Sequence, residues 1–286
     1  MRSHIKTLAT TALCLALSGM AYADPAEDAL DIETEAGSMS IVTSAPAAAH
    51  LDGALTTVYS GWLFRDPDTR DMERDDFDNP AMVYVDLGLD KWNEPMGKNG
   101  ESCASCHNGP ESMKGLRATT PRVSADGKLQ IMEDLINGCV TERMGLEAWG
   151  LTSGDMKNML ALIAVQSRGE VVNVAIDGPA AEFYAKGKEI YYTRYGQLEM
   201  SCANCHEDNA GNYIRADHLS QGQVSGFPVY RLKDAALVTA QQRFVGCVRD
   251  TRAETFKAGS EEFKALELYV ASRGNGLGIE GVGVRH

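Results

Sequence analysis

Cys103-Ala-Ser-Cys106-His107 and Cys202-Ala-Asn-Cys205-His206 are two copies of one pattern. Two thiols one helical turn apart can form thioethers to the two vinyl groups of a haem, and the histidine that follows is then placed to bind the iron. With seven Cys and six His in 286 residues, chance placement yields such a motif roughly 0.004 times per chain, so two copies are a signal. Zinc ribbons also pair Cys-x-x-Cys units, but they rarely carry His directly after both. The sequence therefore predicts two covalently attached haem c groups.

The likeness between the halves runs outward from these motifs. Gly88 and Trp92 precede Cys103 at the same spacings at which Gly187 and Tyr191 precede Cys202, and Gly138-Cys139-Val140 is matched later by Gly246-Cys247-Val248. Each half closes with an amphipathic segment, Met156, Met159, Leu160 and Ile163 in one and Phe263, Leu266, Tyr269 and Val270 in the other. Both run into Ser-Arg-Gly (167–169 and 272–274), where Arg in the last turn followed by Gly stops a helix. Asp177-Gly178-Pro179 starts another helix, with apolar positions continuing to Tyr191 at helical spacing. The expected fold is mainly α, two tandem cytochrome c-like haem domains related by an internal repeat, over 51–170 and 175–286. Val171 to Ile176 is expected to be a short linker that adds a strand at most.

Residues 1–23 have the form of a secretory signal peptide: Arg2 and Lys6, an apolar stretch from Thr7 to Met20, then Ala21-Tyr22-Ala23. Its removal takes Cys14 and leaves six cysteines for an exported, periplasmic protein without a membrane span. Residues 24–50, rich in Ala, Asp and Glu, are expected to form a loosely ordered arm. Asp66 to Asp78 is dense in acids without EF-hand spacing, which favours a solvated, Arg-neutralised loop over a calcium site. The net charge of −13, with no basic stripe, argues against a nucleic-acid partner.

The sixth iron ligand separates classes of haem protein. Electron-transfer cytochromes usually supply a Met, which raises the potential, but no Met follows Met200. His218, Cys247 and His286 remain, and Cys247 is preferred because Cys139 holds the equivalent place in the first half. A Cys139–Cys247 disulfide is the alternative, followed by buried free thiols. A thiolate ligand lowers the potential and suits a general carrier poorly. Around Cys247 stand Arg243, Arg249 and Arg252; guanidinium groups favour a thiolate or persulfide and can hold an anionic sulfur–oxygen substrate. Arg243 lies four residues before Cys247, whereas Leu135 stands four before Cys139. This asymmetry assigns the chemistry to the second half, against a reading of these arginines as surface partners of Asp250 and Glu254.

The two attachment motifs, the paired Gly-Cys-Val elements, Arg243-Phe-x-Gly-Cys247 and Asp-Asp-Phe-Asp-Asn-Pro at 75–80 together resemble the SoxA family, the dihaem subunit of SoxAX cytochromes of thiosulfate oxidation. The resemblance implies an L-cysteine S-thiosulfotransferase that couples thiosulfate oxidatively to a cysteine of a SoxYZ carrier protein, with electrons passed to haem and on to an acceptor cytochrome. It implies a monohaem SoxX partner. Carried onto this sequence, it makes Cys103 and Cys106 the attachment points of the first haem, with His107 and Cys139 axial. Cys202 and Cys205 attach the second, with His206 and Cys247 axial. Cys247 is also the implied catalytic cysteine, carried as a persulfide, and Arg243 the substrate-binding arginine. A dihaem thiosulfate dehydrogenase forming tetrathionate and a plain dihaem electron carrier are the competing readings.

Overall fold

The computed structural model describes residues 29–286 with the exception of Ala216; the signal peptide expected over 1–23 lies outside them. The helices, in chain order, are α1 (Pro67–Arg74), α2 (Met82–Asn93), α3 (Cys103–His107), α4 (Met132–Gly138), α5 (Gly154–Gln166), α6 (Ala181–Tyr192), α7 (Cys202–His206), α8 (Ala240–Asp250) and α9 (Glu261–Arg273). The mainly helical repeat expected from the sequence is what forms: α2 to α5 are answered in order by α6 to α9.

Each half is built on one helix crossing, α2 on α5 and α6 on α9. A glycine lets the axes approach in both. A Cβ on Gly88 would overlap the Asn158 carbonyl oxygen and lie 2.9 Å from Leu162 Cβ, and one on Gly187 would overlap the Ala265 carbonyl and lie 2.8 Å from Tyr269 Cβ. Trp92 and Tyr191, one turn further on, are buried against these crossings. The repeat Gly-x-x-x-aromatic is thus the mark of a close helix contact.

Two stretches differ from expectation, and the linker between the halves does not. From Leu30 the arm is ordered: strands Leu30–Thr34 and Gly37–Ile41 form a hairpin whose Leu30, Ile32 and Ile41 bury against Trp62 and Phe64. Alternation of apolar and polar side chains at 30–34 carries this strand, a period-2 signal that the acidic composition hid. The segment 66–78 is in part helix α1, and it turns inward: Glu73 is fully buried and Asp76 accepts both close contacts of Arg168, at 2.9 Å. The linker at 171–176 forms no strand beyond a single bridge from Val171 to Gly278. It is held in the core by Val172, which donates to Leu277 O, and by Asn275, whose side chain accepts from Val174 N and donates to Val174 O.

The halves are joined by buried and half-buried polar contacts. Arg117 of the first half donates to the carbonyls of Val224 and Phe227 in the second, and Lys264 pairs with Asp134 at 2.9 Å. A three-stranded sheet joins the segment before α8 to the chain end, with Val229–Arg231 between Ala236–Val238 (antiparallel) and Gly283–Arg285 (parallel).

Candidate active site

The two Cys-x-x-Cys-His segments are short helices that begin in matching capping boxes. Ser102 Oγ accepts from Ser105 N while Ser105 Oγ accepts from Ser102 N, and Ser201 and Asn204 repeat the exchange. The second residue between each pair of cysteines, Ser105 or Asn204, is therefore an N3 residue that satisfies the helix start, which fixes the turn on which both thiols are presented.

In the second half His206 is the most tightly specified member. Its Nδ1 lies 2.8 Å from Ser220 O, so the ring proton sits there and the lone pair of Nε2 is left for a metal. Burial lowers its pKa, which keeps the imidazole neutral. The loop bearing Ser220 closes on the ring through Gly222, at φ +77, where a Cβ would lie 2.8 Å from His206 Cγ. Burial pushes Cys202 up to about 12 and raises Cys205.

Cys247 sits on α8, half-buried, one turn after Arg243 on the same face. The helix starts at Thr239, whose hydroxyl accepts from Gln242 N while Gln242 Oε1 accepts from Thr239 N. The charge of Cys247 reaches both Cys202 and Cys205, and it raises the Arg243 guanidinium against the opposing effect of burial. Among the described residues Arg243 makes no side-chain hydrogen bond or ion pair. Arg231 stands near both Arg243 and Cys247; it is tied to Asp234 at 2.9 Å and to His286 O at 3.2 Å. Of the other arginines read with Cys247, Arg249 is exposed beside Asp250 at 3.5 Å and Arg252 is exposed. His218 is stacked on Tyr213 with centroids 4.5 Å apart, and its Nε2 is 2.9 Å from Gly211 O.

The first half repeats the plan with different surroundings. Cys103, Cys106 and Cys139 lie within electrostatic reach of one another, and burial pushes Cys103 up to about 11. Trp92 Nε1 donates to Asn108 O at 2.8 Å, and its ring lies 5.8 Å from that of His107. Cys139 opens a π-helical turn, Cys139–Arg143, that continues α4. Burial raises its thiol against the charge of Arg143. All six described cysteines are free thiols, so no disulfide joins Cys139 to Cys247: each thiol belongs to its own half, beside its own attachment helix.

Each half thus gathers two thiols on one turn of helix, a histidine and a third sulfur from a facing element. In the second half two thiols on one helical turn and the free Nε2 of His206 are the donor set that would hold a haem, so the residues present fit that group. Fold and sites together define a c-type cytochrome built as a tandem repeat. The family described as SoxA/TsdA, cytochrome c domain, matches residues 87–172 and 186–279. The chain is 73% identical over 281 residues to the L-cysteine S-thiosulfotransferase subunit SoxA of Paracoccus pantotrophus, covering 98% of this chain and 97% of that one. It is 52% identical over 273 residues to the subunit of the same name from Rhodovulum sulfidophilum, covering 95% and 94%. The crystal structure of SoxXA from P. pantotrophus superposes with a TM-score of 0.90 at 73% identity, over 92% of this chain and 100% of that one. The chain belongs to the SoxA/TsdA cytochrome c family, which carries haem c.

Proposed function

We propose that this chain is the catalytic dihaem subunit of a periplasmic L-cysteine S-thiosulfotransferase, which joins thiosulfate to a cysteine of a SoxYZ carrier protein and works with a SoxX cytochrome. The observation that carries the reading is the unpartnered guanidinium of Arg243 one helical turn from the Cys247 sulfur.

Cys103 and Cys106 would attach one haem c, and His107 and Cys139 would hold its iron. Cys202 and Cys205 would attach the other, with His206 and Cys247 holding its iron. When bound, these groups supply one-electron redox chemistry that takes up the two electrons released as a sulfur–sulfur bond forms. Arg243 has its full set of donors free to hold the sulfonate oxygens of thiosulfate, in the fork geometry that suits an oxyanion. Held there, the sulfane sulfur of thiosulfate lies beside Cys247, which is carried as a persulfide. Arg231 adds positive charge around the same sulfur and is itself fixed by Asp234. Ser220 keeps the proton of His206 on Nδ1, and Gly222 keeps the ring in place. No helix among the described residues is long and apolar enough to cross a membrane, and the Arg2/Lys6 leader supports export.

Replacement of Cys247 by Ala or Met, with both haems retained, is expected to abolish coupling of thiosulfate to the carrier. A fully active variant overturns the proposal, and so does tetrathionate formation at an undiminished rate without any carrier. Intact mass spectrometry of the exported chain is expected to show two haems and an adduct of one sulfur atom on Cys247 that mild reduction removes.

A further inference from the structure

Away from both cysteine sites, the two repeats meet at a small cavity of about 20 Å³ with a mostly apolar wall, into which Arg117, Glu133, Thr239 and Glu267 also face. Arg117, Glu133 and Glu267 are all buried. The guanidinium of Arg117 gives one N–H from each of its three nitrogens to a carbonyl oxygen, those of Thr120, Val224 and Phe227, and reaches the acids by charge alone. Glu267 on α9 accepts from the amide of Gln241 at 2.6 Å. Gln241 is locked in turn by Gly259 N, which donates to it, and by Phe263 O, which accepts from it. The remaining charges facing the junction, Asp134 and Lys264, pair with each other. One positive charge therefore stands against two carboxyl groups.

We propose that this cavity is a binding site for one water molecule and one proton, held between Glu133 and Glu267, and that the bound pair closes the junction between the repeats. Burial raises both acids, but Glu267 has the charge of Arg117 and the Gln241 amide donor against that rise, and of the two it is the member better able to hold a charge. Glu133 has only its own backbone N–H as a donor, and a second buried carboxylate without further donors is costly. It is the neutral member, and its O–H needs an acceptor. A cavity of this size takes a single water, which can receive that proton and donate to Glu267. Burial followed by the charge of Glu267 pushes Glu133 up to about 8. The placement has a consequence for the sites: Glu133 lies six residues before Cys139, and Gln241 six before Cys247. The repeat thus brings the starts of both cysteine-bearing helices to one shared proton.

The test is difference infrared spectroscopy of the haem-loaded full chain from pH 6 to 9, with Glu133→Gln and Glu267→Gln beside the wild type. The expected result is a protonated-carboxyl stretch that is lost as pH rises through about 8 and is missing in E133Q. In E267Q the same band should disappear at lower pH, because the charge that helps hold the proton on Glu133 is gone. Glu73, described below, supplies a separate band that E133Q leaves in place. Linkage to one proton also predicts that the wild-type unfolding constant rises with pH up to tenfold per unit more steeply than that of E133Q. No band assignable to Glu133 in the wild type, or a band and pH slope unchanged in E133Q, overturns the proposal.

Discussion

At the scale of single residues, the second site rests on two side chains and one missing side chain. Gly222 faces the His206 ring so closely that a methyl group there displaces it, and its φ of +77 adds backbone strain. Gly115 has nearly the same φ, +76, with nothing within 4 Å. Gly115→Ala should therefore cost only the left-handed strain, about 1 kcal/mol. Gly222→Ala should cost that plus overpacking of about 1–3 kcal/mol and should alter the haem absorption spectrum, which Gly115→Ala leaves unchanged. Equal losses in the two variants, by thermal unfolding, sink the assigned contact. Arg243 belongs to the same scale. Arg243→Lys keeps the charge but loses the planar fork, so kcat/KM for thiosulfate is expected to fall by about 10- to 100-fold, the range of one to two charged hydrogen bonds, with haem content unchanged. The cysteines, His206 and Arg243 stand out as candidates in the sequence because their chemistry dictates residue type and spacing. Ser220 and Gly222 do not: one acts through a backbone carbonyl and the other through the absence of atoms, and neither leaves a residue-type signature.

At the scale of elements, what was legible follows the same division. The closing helices α5 and α9 are bounded by signals that operate within one turn, Ser153 and Ser260 at their starts and Ser-Arg-Gly at their ends. The arginines of that ending do more than cap. Arg168 is held by Asp76, and Arg273 is fully buried against Glu207 with its guanidinium 4.5 Å from the Tyr191 ring centroid. Those partners come from distant sequence, so no local pattern announces them. The glycine repeat was visible, but its purpose appears only when the crossings are seen. Gly187→Ala forces α6 off α9 at the Ala265 carbonyl and should destabilise the fold by about 3 kcal/mol, at the upper end for overpacking. Gly138→Ala, at the end of α4 with nothing within 4 Å of an added Cβ, is the control and should be stabilising or neutral. Denaturant midpoints of the pair measure the difference, and a Gly187→Ala variant as stable as the wild type removes the close crossing.

At the scale of the whole molecule, the chain is closed by a buried triad that ties its first helix to its last strand. Arg285 pairs with Glu73 of α1 at 2.6 Å and with Glu280, and both acids are completely buried. The acids are unequal. Burial pushes Glu280 up, but Arg285 and the hydroxyls of Ser60 and Ser225 outweigh it and leave it low. Glu73 accepts from Val284 N and Arg285 on one oxygen, while its other oxygen has no partner, and burial lifts it to about 8. Glu73 is thus the member that carries a proton at neutral pH. Because the folded chain holds a proton that the unfolded chain releases above its ordinary value of 4.5, stability must fall as pH rises from about 4.5 to 8 and level off beyond. Glu73→Gln keeps the shape, removes the titration, and should flatten that slope by up to about 1.4 kcal/mol per pH unit. Arg285→Ala leaves two buried carboxyl groups facing each other without a cation and should cost about 3–5 kcal/mol at pH 7. Lowering the pH should restore part of that loss, because protonating the second acid removes the unpaired charge. Urea unfolding of the three proteins at pH 5, 7 and 9 separates the terms, and an Arg285→Ala variant whose deficit is the same at all three pH values rules out the unpaired carboxylate as its cause.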